Sequence, residues 1–273
     1  MRSDYVITSR DNALARRARR ARDGKLPNLI CIEGLRLCEE AQRAALIIED
    51  LIVTEKLLRD QRGANLYQEL LRNKAVRITL FSESVFASIS DTKTPQGIIA
   101  LARRPQTTDE HVLESSSAEV SPLIVILNRV NNPSNAGAIL RTAEAAGATS
   151  VIATLGTTDL FSPKALRGAM GSSFRLPIWD KASFAEALSW CAARGINTIG
   201  TDLGSRKAHT EINWCKGCAL VVGAEASGLP DVELARVDET IAIPMRAPVE
   251  SLNVAVAAAI ILYEAARQRV SAR

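Results

Sequence analysis

The second half of the chain alternates short apolar runs with segments of helical pattern, and this alternation limits the folds open to it. Five runs have the length and β-branched content of buried strands, namely PLIVILNRV, TSVIATL, INTIGTD, CALVVG and TIAIPM. Strands that alternate with helices form a largely parallel sheet covered on both faces. The sequence therefore predicts an α/β fold whose ligands bind beyond the carboxyl ends of the strands.

A polar stretch at 102–123 divides the 273-residue chain. It is rich in Ser, Thr and Glu, is bracketed by Pro105 and Pro122, and lacks hydrophobic periodicity, as linkers do. Before it, apolar runs and helical segments alternate as in a small α/β domain. We predict domains at 1–104 and 122–273, a linker at 105–121, and a basic helix over 11–22 capped by Ser9 or Asp11.

Positive charge is concentrated in the first domain. The chain has a net charge of +4, which divides into +6 over residues 1–104 and −2 over the rest. Much of the excess comes from one cluster, Arg10, Arg16, Arg17, Arg19, Arg20, Arg22 and Lys25. A basic domain joined to a near-neutral one indicates a module that binds polyanions. A solvated helix face is the alternative.

Several classes of protein are disfavoured by the sequence. No apolar run approaches the roughly 20 residues of a membrane span, and the charged N-terminus is no secretory signal. Five irregularly spaced cysteines indicate a reducing compartment, for which the cytoplasm is predicted. The pair in WCKGC leads into a strand, where a redox pair needs a helix N-terminus. Two isolated histidines disfavour a metal site and Ser-His or Cys-His catalysis.

Three segments are predicted at the carboxyl edge of the second sheet. In NNPSNAG, Pro133 and Gly137 are expected to form a tight loop around Asn135. The second segment, VVGAEASGLP, has Leu229 and Pro230 where a phosphate-binding loop needs Lys and Ser or Thr. The third, MRAPVESLN, precedes a smooth apolar helix for which Ser251 is the predicted N-cap. That helix must pack on the sheet or on a second subunit.

Arg141 is the unusual residue of the first segment. It lies on a helix made mostly of Ala, Ile and Leu, where a guanidinium needs a partner or a function. The structural alternative is an ion pair with Glu144 at i+3.

The three segments together resemble the three signature motifs of the SpoU/TrmH family of RNA 2′-O-ribose methyltransferases, in the SPOUT superfamily. The first motif is similar to residues 131–143, the second to 221–229 and the third to 243–257. Asn132, Ser134 and the pair Ala226-Ser227 differ from the commoner family residues. The resemblance implies a C-terminal trefoil knot that binds S-adenosylmethionine.

The resemblance also implies roles for single residues. The catalytic group would comprise Arg141, Asn135, Glu225, Ser251 and Asn253. The cofactor would contact Gly223, Ala224, Ile243, Met245, Ser251 and Leu252, with Gly223 allowing close approach of the backbone. Arg141 would act as base or, at a lower energetic cost, as an electrostatic stabiliser of the developing alkoxide.

Three blocks of the first domain, ITSRDNALARRARR, ICIEGLRL and DTKTPQGIIAL, resemble the ribosomal-protein-like substrate-binding domain of rRNA-modifying members. This implies RNA, most readily rRNA, as the partner, a homodimer, and no metal or membrane. Phosphate contacts are assigned to Arg10, Arg16, Arg17, Arg20 and Arg36. A tRNA ribose methyltransferase and a non-catalytic RNA-binding or ribosome-assembly protein remain as alternatives.

Overall fold

The structure, a computed structural model, describes residues 6–72, 74–114 and 121–271. Its strands are β1 (Leu29–Glu33), β2 (Ile48–Val53), β3 (Arg77–Leu80), β4 (Ile98–Arg103), β5 (Leu123–Leu127), β6 (Ser150–Thr154), β7 (Ile178–Ala182), β8 (Asn197–Thr201), β9 (Cys218–Val222) and β10 (Glu239–Ile241). Its helices are α1 (Ala13–Arg22), α2 (Leu35–Arg43), α3 (Glu55–Arg59), α4 (Gln61–Arg72), α5 (Glu83–Ile89), α6 (Asp109–Glu114), α7 (Pro133–Ala145), α8 (Pro163–Ala169), α9 (Ser172–Arg175), α10 (Phe184–Ala192), α11 (Asp231–Leu234) and α12 (Val254–Ser271). None of the helices in these ranges is long and apolar enough to cross a membrane.

The described residues form two compact units. The first takes its residues from Met1–Pro105 and Phe161–Phe174, and the second from Gln106–Leu160 and Arg175–Arg273. The segment 161–174, assigned from the sequence to the second domain, therefore groups with the first unit. There α8 packs against β1.

The first unit contains a mixed sheet in the order β1-β4-β2-β3. Strand β4 is antiparallel to β1 and β2, and β3 is parallel to β2. Helix α1 packs on this core through Ala15, Ala18 and Ala21, and these small side chains at every third position leave Arg16 and Arg20 exposed on its outer side. The predicted caps Ser9 and Asp11 are wrong, because Asn12 caps α1 by accepting a hydrogen bond from the Leu14 N–H at 2.8 Å.

The second unit contains six parallel strands in the order β10-β8-β9-β5-β6-β7, which confirms the predicted α/β parallel sheet. From β5 the chain proceeds outward through β6 and β7, and the later strands lie on the other side. The adjacent carboxyl ends of β5 and β9 thus mark the switch point, where α/β sheets bind ligands. Strand β7 was not predicted from the sequence, because it is a short edge strand buried only at its two ends.

The NNPSNAG segment is helical, so the predicted tight loop is wrong. Helix α7 begins at Pro133, which needs no N–H partner at a first helical position. Asn132 caps the helix by accepting from the Ser134 N–H at 2.9 Å. Asn135 therefore projects from the first turn of a helix, a more rigid support than a loop.

The third segment and the linker also differ from expectation. Helix α12 begins at Val254 and is capped by Asn253, whose side-chain oxygen accepts from the Ala255 N–H at 2.9 Å. The predicted cap Ser251 is therefore wrong. Within the predicted linker lies α6, whose Val112 is fully buried in the core of the second unit. Linker residues 115–120 lie outside the described ranges.

Candidate active site

The loop after β9 closes on itself. The Ala224 N–H donates to the Gly228 carbonyl at 3.2 Å, and the Gly228 N–H donates to the Ala224 carbonyl at 2.8 Å. A Cβ atom on Gly223 would lie 2.4 Å from the carbonyl carbon of Gly228 and 2.6 Å from the nitrogen of Leu229. Glycine is therefore required at 223 for closure of this loop, a reason different from the close cofactor approach that the sequence predicted.

Glu225 joins this second-motif loop to the start of α7. Its carboxylate accepts hydrogen bonds from the Asn132 N–H at 3.0 Å, the Asn131 N–H at 3.2 Å and the Asn135 amide at 3.2 Å. Partial burial raises the pKa of Glu225, but hydrogen bonds from backbone N–H groups and the Asn135 amide outweigh it and lower the pKa overall. The carboxylate is thus ionised at neutral pH and occupied in holding two segments together.

Asn135 extends this connection to the third motif. While its amide nitrogen donates to Glu225, its oxygen accepts from the Asn253 amide at 3.2 Å. Asn253 in turn caps α12. One hydrogen-bonded chain, Glu225–Asn135–Asn253, therefore links all three motif segments.

A cavity of about 320 Å³ lies between the second and third motif segments, a size at the lower end for small-molecule sites. We call it the cofactor cavity. It is lined by all six residues predicted to bind the cofactor, Gly223, Ala224, Ile243, Met245, Ser251 and Leu252. Thr201, Asp202 and Leu203, which were not predicted from the sequence, also line it. Their position at the end of β8, beside β9, was the available signal.

The chemistry of this cavity suits S-adenosylmethionine. Asp202 and Glu225 are among its lining residues, together with several aliphatic residues, and none of the described lining residues is Lys or Arg. A nucleotide polyphosphate would leave its charge uncompensated there, whereas a cationic sulfonium with an adenosine group finds acidic and apolar walls.

A second cavity of about 340 Å³ adjoins the first; we call it the substrate cavity. It shares Glu225, Ser251, Leu252 and Val254 with the cofactor cavity. Four of the five residues predicted to be catalytic line it, namely Asn135, Glu225, Ser251 and Asn253. Ser251 is exposed between the two cavities. A ligand in the first cavity and a nucleotide in the second would therefore meet beside this hydroxyl.

Within one chain, Arg141 lies outside this site. It is exposed on α7, lines neither cavity, and forms no hydrogen bond or ion pair with any residue in the described ranges. The alternative ion pair with Glu144 is also not formed, because Arg175 binds that carboxylate at 2.5 and 2.9 Å. Arg141 lies on an outward-facing row of small residues, with Ala138 and Ala145.

The arginines assigned to phosphate contacts fall into two groups. The side chains of Arg10, Arg16, Arg20 and Arg36 are exposed and form no hydrogen bond or ion pair in the described part of the chain. Arg17 differs, because it forms ion pairs with Glu49 and with Asp50, which is 2% exposed. The ion pairs give Arg17 a structural role, and its assignment to RNA stays a prediction. No cluster of three potential metal ligands occurs among the described residues.

Comparison with known proteins agrees with this geometry. The model of the SpoU rRNA Methylase family matches residues 122–263, and that of the MRM3-like substrate binding domain matches residues 12–100. The 23S rRNA (guanosine(2553)-2′-O)-methyltransferase RlmP of Bacillus subtilis is 31% identical over 238 residues, which are 86% of this chain and 88% of that protein. The 23S rRNA (uridine(2479)-2′-O)-methyltransferase of Streptomyces viridochromogenes is 32% identical over 76% of this chain and 72% of its own.

Solved structures show the same similarity. The SpoU methyltransferase AviRb from Streptomyces viridochromogenes, in complex with the cofactor AdoMet, is 26% identical and superposes with a TM-score of 0.85 over 96% of this chain and all of that one. With the matching motifs, the linked loops and the acidic cofactor cavity, these findings lead to one conclusion. The chain belongs to the SpoU rRNA methylase family and is an S-adenosylmethionine-dependent RNA methyltransferase.

Proposed function

We propose that this enzyme methylates a ribose 2′-hydroxyl in ribosomal RNA. The observation that carries this proposal is the Glu225–Asn135–Asn253 chain, which holds a cofactor cavity and a substrate cavity side by side. The relatives named as 23S rRNA 2′-O-methyltransferases support rRNA over tRNA, because the similarity covers both units. Only RNA has the 2′-hydroxyl that such a reaction needs.

The protein must align the hydroxyl and assist loss of its proton. When bound, S-adenosylmethionine supplies the methyl group. Glu225 is a poor acceptor for the proton, because its lowered pKa and its three donors from the first motif keep it as an anchor. Ser251 and the amides of Asn135 and Asn253 are placed to orient the ribose. We assign stabilisation of the developing alkoxide to Arg141.

Arg141 would reach a substrate cavity across a dimer interface. Helix α12 exposes an apolar row in which Val256 is 48%, Ile260 37% and Tyr263 57% exposed. Helices α7 and α12 pack together, and we propose that this row and the face that carries Arg141 lie on the same side of the molecule. Twofold dimers are the commonest closed oligomers, and we propose one in which the apolar row is buried. It would also bring Arg141 of each chain toward its partner.

We expect Ile260→Glu to convert the protein from a dimer to a monomer, because it places a charge in the buried apolar row. Sedimentation velocity at micromolar concentration measures the change. Glu110→Gln is a control on another helix and should remain dimeric. A wild-type protein that sediments only as a 29.4 kDa species would contradict the dimer.

RNA binding is assigned to the first unit, for which we propose a ribosomal-protein-like fold. We expect Arg16→Ala and Arg20→Ala each to weaken RNA binding and to lower the slope of log K against log salt by about 0.7–0.9. Both side chains lie one helical turn apart on the exposed side of α1. Filter binding over a salt series measures the slope.

Two variants control this experiment. Arg59→Ala removes a cation that is 81% exposed on α3 and should leave the slope unchanged. Arg17→Ala should lower the melting temperature instead, because it leaves the buried Asp50 with one cation fewer. Equal slopes for all variants would show that α1 does not contact phosphates.

The activity itself is tested with deproteinised 23S rRNA, tRNA and methyl-labelled S-adenosylmethionine. We expect label in rRNA, at a nucleotide whose 2′-O-methyl group stops primer extension at low nucleotide concentration. Label only in tRNA would favour the tRNA enzyme. Cofactor binding without transfer to either RNA would favour an RNA-binding assembly protein.

Two further properties are proposed. Membership of the family supports a trefoil knot near the cofactor cavity, formed by the segments of the second and third motifs. The cytoplasm is the proposed compartment, since ribosomal RNA is the proposed substrate and the cysteines, all described, are free thiols.

A further inference from the structure

A second connection between the first and second motifs lies behind the Glu225 contact. Arg129, just before the first motif, donates two hydrogen bonds to Glu233 of α11 at 2.9 and 2.7 Å. The Asn128 amide donates to the same carboxylate at 2.6 Å and accepts from the Thr154 hydroxyl at 2.8 Å. Asn128 and Thr154 are 1% and 3% exposed, so these hydrogen-bonded side chains are buried at the carboxyl ends of β5 and β6.

The backbone at Arg129 is unusual. Its φ of 57° is left-handed, a conformation that is unfavourable for a residue with a Cβ and persists only where surrounding contacts hold it. The turn at Arg129 redirects the chain from the end of β5 toward Asn131 and Asn132. These two residues supply backbone N–H groups to Glu225.

We propose that Arg129 and Glu233 are positioning residues for methyl transfer. Their ion pair holds the left-handed turn against α11, and thereby sets the position of Asn131, Asn132 and Asn135 relative to Glu225. Neither Arg129 nor Glu233 lines the cofactor or the substrate cavity, so they act through these other residues. The inference rests on the proposed methyl transfer for its kinetic consequence, but its structural part can be measured without turnover.

Glu233→Gln is the informative variant, because it removes the charge and retains Arg129 and the size of the side chain. We expect the single-turnover rate to fall about tenfold, as for a misplaced catalytic group, while the S-adenosylmethionine Kd changes less than twofold. Glu233→Asp, which keeps the charge and the acceptor oxygens, should retain part of the rate. The matched control is Glu144→Gln, which breaks another bidentate carboxylate–arginine pair of the second unit, with Arg175, and should leave the rate unchanged.

Amide hydrogen exchange separates this inference from the proposed function. In Glu233→Gln we expect faster exchange at Asn131 and Asn132 without bound RNA or cofactor, and no change at these amides in Glu144→Gln. Unchanged exchange there, or an unchanged single-turnover rate in folded Glu233→Gln, would overturn the inference. An inactive wild type whose variant still shows the faster exchange would overturn the proposed function and leave the positioning role standing.

Discussion

Arg141→Ala is expected to reduce the single-turnover rate of methyl transfer by about 10²–10³, the usual effect of losing one stabiliser of transition-state charge. The Kd of S-adenosylmethionine should stay within about twofold, because Arg141 does not line the cofactor cavity. Arg141→Lys should recover only part of the rate, since an ammonium cannot replace the planar fork of a guanidinium. Rapid-quench kinetics and calorimetry on the same variants measure both quantities.

The control for charge loss is Arg194→Ala, which removes an arginine stacked 4.1 Å from the Trp190 ring. Its rate should match that of the wild type. An active Arg141→Ala enzyme, or one whose cofactor affinity falls in proportion to its rate, would refute the role of Arg141.

Gly223→Val is expected to weaken S-adenosylmethionine binding by roughly 10- to 100-fold. A Cβ atom at 223 meets backbone atoms of Gly228 and Leu229 at 2.4–2.6 Å, and backbone cannot yield as a flexible side chain can. Overpacking of this kind costs roughly 1–3 kcal/mol, and about 1.4 kcal/mol is a factor of ten in affinity. Isothermal titration calorimetry measures the loss.

Gly204→Ala is the matched control, because its nearest neighbour, an oxygen of Asp202, would lie at an ordinary 3.5 Å. It should bind the cofactor as the wild type does. Normal affinity in Gly223→Val would show that the second-motif loop tolerates opening, and the explanation for Gly223 would be wrong.

The two variants can be combined to test where Arg141 acts. When equal amounts form mixed dimers, about a quarter of the wild-type activity should return if Arg141 serves the partner's site. Half of the dimers then contain both variants, and each of these has one complete site. Activity that stays at the sum of the two separate variants would place Arg141 in its own chain's site or outside catalysis.

The class of fold and the place of the site followed from local patterns in the sequence. Runs such as CALVVG and PLIVIL are buried strands because β-branched apolar residues pack on both faces of a parallel sheet. Glu225 lies in the loop that follows β9, and Asn135 lies in the first turn of α7, which follows β5. Composition and order alone were therefore enough to group the motif segments at one edge.

For some local features, several residues of suitable type are available for the same position, and the sequence pattern does not show which of them is used. Asn12 caps α1 although Ser9 and Asp11 are equally suitable residue types. The proline of NNPSNAG serves as the first residue of α7 and not as a turn residue, since proline is compatible with both. The edge strand β7 has too few buried residues to show the signature of a strand.

The kind of sheet, the order of its elements and the residue types at its carboxyl edge follow from the amino-acid sequence, because these depend on periodicity and propensity along the chain. The partners of each polar side chain depend on tertiary packing. Glu225 binds Asn131 across 94 positions, and Asn253 binds Asn135 across 118. Arg17 is another example. It is one of several arginines in α1, and only the tertiary packing shows that it pairs with Glu49 and Asp50. Hydrogen bonds and ion pairs require atoms within about 3 Å, and that proximity is set by packing of distant segments.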